Sequence, residues 1–180
     1  NLVRETSRST RLLADLLTVA RLDTDPSGAP TDPVELTALC RSEAERATDL
    51  APHLQVQCMV PTFEVVVIGD ASALREAIAN LLDNARRHAR SRISLVVEAD
   101  PKEARVLVRD DGPGLPADRA EQAFERFASF DGRGGSGLGL PIARGITRAH
   151  GGDLRHVPGA GFVLTLPPRP SNEANRSKAC

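Results

Sequence analysis

Glycine is distributed unevenly along this chain: of its 14 glycines, all but Gly28 and Gly69 lie between Gly112 and Gly161. Residues without a Cβ let the backbone turn sharply and approach a flat or charged ligand, but they bring no side chain to a core. Ligand-facing turns are therefore expected in that third of the chain, and the apolar packing must come from its flanks. A run of Gly and Ser is equally what a flexible linker looks like. The elements on either side decide between the two.

Those elements are periodic. Leu36 to Leu50 reads as a helix. LQVQCMV (54–60) and FEVVVIG (63–69) read as two strands joined by a Pro-containing turn. Asp70 then opens a helix to about His88, with Leu74, Ile78, Leu81, Leu82 and Ala85 on its apolar face and the Asp70 carboxylate as N-cap. Strand patterns return at ISLVVEA (93–99) and ARVLVRD (104–110), and a short helix is expected through Glu121–Phe127. LGLPIARGITRAHGG (138–152) is helical up to His150, with Pro141 in the first turn and His150 as the cap before Gly151. DLRHV (153–157) and GFVLTLP (161–167) close the series as strands. This order predicts an α+β fold, a two-layer sandwich with one mixed sheet and helices on one face.

Two segments stand apart. Residues 2–22 form a helix pattern with an apolar stripe at Leu13, Leu16, Leu17 and Ala20, followed by the linker-like DTDPSGAPTDP (23–33). The tail PPRPSNEANRSKAC has no apolar periodicity and reads as disordered. The expected divisions are a helix over 1–24, a linker over 25–33, a main domain over 34–167 and a tail over 168–180.

Composition excludes some functions. Lys plus Arg is 23 and Asp plus Glu is 24, a net charge of −1, which argues against attachment to nucleic acid or anionic membrane by bulk charge. Five Phe and no Trp or Tyr leave little material for base-stacking platforms. Cys40, Cys58 and Cys180 have no CxxC spacing and suit a reducing compartment better than a disulfide framework or a zinc site. No stretch approaches the ~20 apolar residues of a membrane span.

Three segments carry chemistry. In DDGPG (110–114), Gly112 and Gly114 allow a sharp turn close to a flat ligand, and Asp110 at the strand end is placed to accept from an exocyclic amine; an ordinary strand-to-helix turn reads the same way. In GRGGSGLGL (132–140), five glycines in eight residues feed straight into a helix, so free backbone N–H groups and the helix N-terminus favour phosphate. The spacing is neither that of a P-loop nor that of a dinucleotide fingerprint. In LREAIANLLDNARRHA (74–89), Asn80 and Asn84 are four apart on one helical face, where Asn is a poor helix former. Such oxygen ligands suit a magnesium ion that keeps waters and bridges to phosphates. Arg86 and Arg87 follow in the next turn, as phosphate partners or as a solvated basic face.

Together, and in this order, these segments resemble the catalytic, ATP-binding domain of sensor histidine kinases in the GHKL ATPase superfamily, over roughly residues 34–167. NLLDNARRH resembles the asparagine box, DDGPG the first glycine box, FERF (124–127) the phenylalanine box and GGSGLGL (134–140) the second glycine box. The resemblance implies ATP and Mg²⁺ as cofactors. It implies Asn84 as the magnesium ligand with Asn80 beside it, and Arg87 where the family usually has a phosphate-contacting Lys. His88 stands at the position of an aromatic that packs on the nucleotide, a departure that bears on stacking. Asp110 is implied to receive the adenine amino group, with Gly112 and Gly114 admitting the ring. Gly135, Ser136, Gly137, Leu138 and Gly139 are implied to bind the phosphates, as lid hinge and helix start. For Phe124 and Phe127, core packing and a lid role are equally expected.

One position separates branches of the superfamily. Relatives that hydrolyse ATP, and the anti-sigma serine kinases, resemble each other in a Glu one helical turn before the magnesium Asn, able to act as general base. Here that position is Asn80; Glu76, a further turn away, reads as solvent-facing. The resemblance therefore implies a protein histidine kinase, phosphorylating a histidine of a dimerisation helix for relay to a response regulator aspartate. Residues 5–23 resemble the second helix of the hairpin that carries such a histidine in a homodimer, and His53, His88, His150 and His156 stand in no acceptor setting. A truncated kinase without its own phosphoacceptor is expected. No nucleic-acid partner and no direct membrane contact are expected, and the location is expected to be cytoplasmic, with membrane anchoring of a longer parent left open. The alternatives are an anti-sigma-like ATP-binding regulatory module and a GHKL hydrolase.

Overall fold

The computed structural model describes residues 32–128 and 136–169. Seven strands and three α-helices follow in the order β1 (Pro33–Glu35), α1 (Leu36–Leu50), β2 (Gln55–Met59), β3 (Val66–Ile68), α2 (Ala71–His88), β4 (Arg92–Ala99), β5 (Ala104–Asp110), α3 (Gly139–Ala149), β6 (Asp153–Val157) and β7 (Gly161–Leu166). The helix pattern over residues 2–22 and the glycines at 132, 134 and 135 lie outside the described residues.

Five strands form one sheet in the order β2-β4-β5-β7-β6. β2 runs parallel to β4 and the other pairings are antiparallel, so the sheet is mixed. Alternation sends Ile93, Leu95 and Val97 of β4, Val106 and Val108 of β5, and Leu164 and Leu166 of β7 to one face, where all are buried. Against them lie Leu74, Ile78, Leu81 and Leu82 of α2 and Ile142 and Ile146 of α3, at three-to-four spacing and equally buried. Burying one such Leu or Ile stabilises by about 1.5–3 kcal/mol, so this seam holds the two layers together. The α+β sandwich expected from the element order is the architecture found.

The helix ends obey local chemistry. Asp70 caps α2, its Oδ1 accepting the N–H groups of Ser72 (2.7 Å) and Ala73 (3.1 Å). His150 caps α3, and Gly151 follows at φ +75°. Pro141 sits in the first turn of α3, where its missing N–H costs nothing.

Three expectations change in detail. The strands on either side of Pro61 do not pair with each other. β2 joins the main sheet, whereas β3 pairs antiparallel with β1 in a separate two-stranded sheet. Pro61 has no donor for a ladder there, and beyond it the backbone instead bonds to the start of α1, Leu36 N–H to Val65 O at 2.7 Å. The helix expected through Glu121–Phe127 is the single 3₁₀ turn Gln122–Phe124, preceded by another at Ala117–Arg119. It stops at Glu125, which turns extended (ψ 144°), and two residues on Phe127 adopts φ +66° and gives its N–H to Gly137 O (3.0 Å). Pro168 and Arg169, read as tail, lie against β3: Pro168 bridges Val67, and Arg169 N–H donates to Val66 O.

Candidate functional site

The sheet's inward rows end in polar residues at one end. On β5 the inward series Ala104, Val106, Val108 ends in Asp110; on β6, Leu154 is followed inward by His156. The ladder places Leu95, Val108, Phe162 and His156 side by side across four strands, with Asp110 in the next row beyond Val108. Here the helix layer no longer covers the sheet, and a cleft of about 590 Å³ opens between α2, the N-terminus of α3 and the polar sheet edge.

From the helix side Asn80, Asp83, Asn84, Arg87 and His88 line this cleft. The one-turn spacing of the two asparagines puts both amides on the cleft face, while Leu81, Leu82 and Ala85 point into the core. Asn80 meets the start of α3: a Cβ added to Gly139 would lie 3.3 Å from Asn80 Oδ1. Its Nδ2 is buried and has no hydrogen-bond partner among the described residues. A buried, unpaired amide donor is costly unless a ligand satisfies it. α3 adds the field of a helix N-terminus, since its N-cap Leu138 provides no side-chain cap.

At the sheet end, Asp110 Oδ1 accepts the N–H of Gly112 at 2.8 Å, fixing the carboxylate at the cleft. Gly112 is packed tightly: a Cβ there would overlap the carbonyl oxygen of His88 and lie 2.5 Å from Asp110 Oδ1. Asp111, its neighbour, ties the turn to the far end of α2. Its carboxylate accepts from the N–H groups of Arg90 (2.8 Å), Ser91 (3.0 Å) and Arg92 (3.1 Å) and from the Ser91 hydroxyl (2.6 Å). The Ser91 hydroxyl first, then the Ser91 and Arg92 N–H groups, hold this carboxyl well below the ordinary carboxylate range.

Phe162 and His156 give the cleft an aromatic face. Phe162 faces His156 with ring centroids 5.2 Å apart, and Phe124 meets Phe162 edge-on at 6.0 Å. The guanidinium of Arg144 lies 4.4 Å over the Phe124 ring, held by Glu121 (2.7 Å) and Asp153 (3.4 Å). Burial lowers the pKa of His156, opposed by the nearby Asp110 carboxylate.

Of the residues singled out in the sequence, Asn80, Asn84, Arg87, His88, Asp110, Gly112, Gly114, Ser136, Gly137 and Gly139 come together around this one cleft. Leu138 does not line it; its side chain is fully buried in the core beneath the start of α3. Gly135 lies outside the described residues. Glu76 is half-buried rather than solvent-facing, and it is not among the lining residues. Phe124 packs against the core through Phe162, whereas Phe127 is 65% exposed. Sequence reasoning missed Asp83, Phe162 and His156; for the last, the strand parity of DLRHV, with Leu154 and His156 both inward, is a usable signal.

Residues 69–170 match the family model described as histidine kinase-, DNA gyrase B- and HSP90-like ATPase. That match covers more than half of the chain. The chain belongs to this family. It is 36% identical over 175 residues to a probable sensor histidine kinase, TcrY of Mycobacterium tuberculosis, covering 91% of this chain and 36% of that protein. Among solved structures, the mycobacterial sensor histidine kinase MprB aligns with TM-score 0.67 and 32% identity, over 78% of this chain and 99% of that one. Full-length ShkA in complex with AMPPNP aligns with TM-score 0.81 and 26% identity, over 93% of this chain and 37% of that one. The chain spans about a third of the length of the curated relatives it matches. Among the described residues no helix is long and apolar enough to cross a membrane.

Proposed function

We propose that the cleft binds ATP with Mg²⁺ and presents the γ-phosphate to a histidine on a dimerisation helix, as the nucleotide-binding half of a sensor histidine kinase. The observation that carries this reading is Asn80, whose buried amide Nδ2 lacks a partner among the described residues where α2 meets the glycine start of α3. The cleft is polar in the right order for a nucleotide. Asp110 accepts from the amino group of adenine at the turn that carries Gly112 and Gly114. Arg87, Ser136 and the first-turn N–H groups of α3 take the phosphates at the other end.

The donors at Asn80 and Asn84 are amide oxygens, with the Asp83 carboxylate nearby. Such oxygen donors would suit a magnesium ion, which Asn84 and Asn80 would hold. When bound, the ion neutralises developing charge on the phosphates. The protein's own part is positioning. Gly137 and Gly139 let the backbone come close, Asn80 and Asn84 orient the triphosphate, and the α3 N-terminus stabilises negative charge. Asn80 cannot take a proton at neutral pH, so α2 offers no general base at that position, and Glu76 is outside the cleft lining. A neutral imidazole needs no such base, which favours a histidine acceptor over water. By this reading the phosphoryl group passes from the histidine to a response regulator aspartate, in a homodimer of the full-length protein, on the cytoplasmic side.

The test is titration calorimetry with ATP on the chain and on Asp110→Asn, which keeps an oxygen to accept the Gly112 N–H. Affinity is expected to fall at least tenfold, because the amide places a donor against the adenine amino group. Unchanged affinity would remove the adenine assignment. Transfer is tested by supplying a separate phosphoacceptor helix hairpin with labelled ATP and following label on its histidine.

A further inference from the structure

We propose that His156 is a second base-reading residue of the cleft, donating an imidazole N–H to a ring nitrogen beside the adenine amino group that Asp110 accepts. This rests on the nucleotide reading given above and assigns part of its specificity. His156 occupies an inward position on β6, directly paired with Phe162 across the ladder, and both line the cleft. The other inward residues of the row that ends in it, Cys58, Leu95, Val108 and Phe162, carry no oxygen or nitrogen in their side chains. A polar ring at the end of an apolar row, partly buried, needs a reason. Its Nδ1 is buried and has no hydrogen-bond partner among the described residues, and the same is true of Asn80 Nδ2 on the helix side of the cleft.

The position is fixed. Phe162 packs against the imidazole at 5.2 Å, and Phe162 is in turn braced by Phe124, over whose ring Arg144 lies. Asp110 is close enough for its charge to act on the imidazole, so both groups address one region. Burial keeps the ring below the ordinary imidazole range, which leaves one nitrogen a donor and the other an acceptor at neutral pH. Adenine offers a matching edge: an amino donor for the carboxylate, flanked on each side by a ring nitrogen that accepts. Guanine offers a carbonyl oxygen there, which the carboxylate rejects.

The experiment compares ATP, 1-deaza-ATP and 7-deaza-ATP, each binding the whole chain in calorimetry, for the wild type, His156→Phe and His156→Gln. The wild type is expected to bind one deaza analogue about tenfold more weakly than ATP, the loss of one hydrogen bond. His156→Phe, which keeps a ring against Phe162, is expected to bind ATP about tenfold more weakly and to treat that analogue and ATP alike. His156→Gln, which keeps a donor, is expected to recover part of the affinity and of the preference. A wild type that discriminates against neither analogue, or a His156→Phe or His156→Gln chain that keeps the wild-type affinity and an unaltered preference, would overturn the proposal while leaving the nucleotide reading intact. Absence of ATP binding by the wild type would overturn both.

Discussion

His150 and Asp70, eighty residues apart, share one hydrogen bond that sets the spacing of the two helices around the cleft. The N–H of Asp70 donates to His150 Nε2 at 3.0 Å, while Nδ1 of the same ring donates to Ile146 O at 2.8 Å. Asp70 is also the N-cap of α2, and His150 ends α3. One buried imidazole therefore joins the start of the helix carrying Asn80 to the end of the helix that begins at Gly139. The C-cap role expected for His150 is part of its function; the longer-range tie is the rest.

Replacing His150 by Ala removes both bonds and leaves the Asp70 N–H and the Ile146 carbonyl without these partners. A destabilisation of about 2–4 kcal/mol is expected. Thermal unfolding followed by circular dichroism measures it. A change below about 0.5 kcal/mol would mean that water replaces the imidazole without cost. Gly69→Ala should act on the same joint, because its Cβ would lie 2.9 Å from His150 Cδ2 and 2.7 Å from Leu74 Cδ1.

Asp111 predicts an acid-side dependence. Its folded carboxyl is held below its unfolded value by the Ser91 hydroxyl and the N–H groups of Ser91, Arg92 and Arg90. A depressed folded pKa gives stability that is fully present above the unfolded value, about 3.9, and is lost as pH falls toward the folded one. Urea midpoints of the wild type should therefore fall from about pH 4 downward. Asp111→Asn, which keeps an acceptor oxygen but does not titrate, should start lower at pH 7 and show a flatter slope between about pH 4 and 2. Parallel slopes would show that Asp111 contributes nothing to acid unfolding.

What the sequence disclosed follows from range. The caps at Asp70 and His150, the helix seam at Leu74, Ile78 and Leu81, and the paired asparagines are periodic or local, and each lies where its pattern puts it. Pairing partners are not local: nothing in FEVVVIG says that β3 joins β1 and not β2. The glycine turn at 112 was legible, but the reason it must be Gly, the carbonyl of His88 pressed against it, comes from α2. Leu138 shows the opposite case, since a motif position adjoining the glycine run buries its side chain in the core. His156 was passed over because its neighbours in sequence are solvent-facing, and its neighbours in the cleft are Phe162 and Asp110.

The contact of Arg144 with Phe124 should be measurable by a double-mutant cycle. Arg144→Met keeps an unbranched chain but loses the ring contact and both carboxylate partners, so about 1–2 kcal/mol of stability should be lost. Phe124→Leu in the Arg144→Met background should cost less than in the wild type, leaving a coupling of about 0.5–1 kcal/mol. Strict additivity would show that the guanidinium is held by Glu121 and Asp153 alone.

Gly137 and Gly114 separate conformational cost from steric cost. Both have positive φ, +67° and +74°, so Ala at either position adopts a backbone region that costs roughly 1 kcal/mol. A Cβ on Gly114 meets nothing within 4 Å, whereas one on Gly137 would lie 2.5 Å from Phe127 Cα and 2.6 Å from its carbonyl carbon. Backbone atoms cannot swing aside as a side chain can. Gly137→Ala must therefore part the Gly137 and Phe127 segments and break the 3.0 Å bond from Phe127 N–H to Gly137 O. That bond joins the segment after Phe124 to the approach to α3, and both flank the cleft. Gly137→Ala is expected to weaken ATP binding by at least tenfold, whereas Gly114→Ala should lower stability by about 1 kcal/mol and change affinity less than threefold. Calorimetric titration of both variants with ATP, alongside their thermal unfolding, decides it: equal losses of affinity would show that positive φ, and not the approach of Phe127, is what Gly137 supplies.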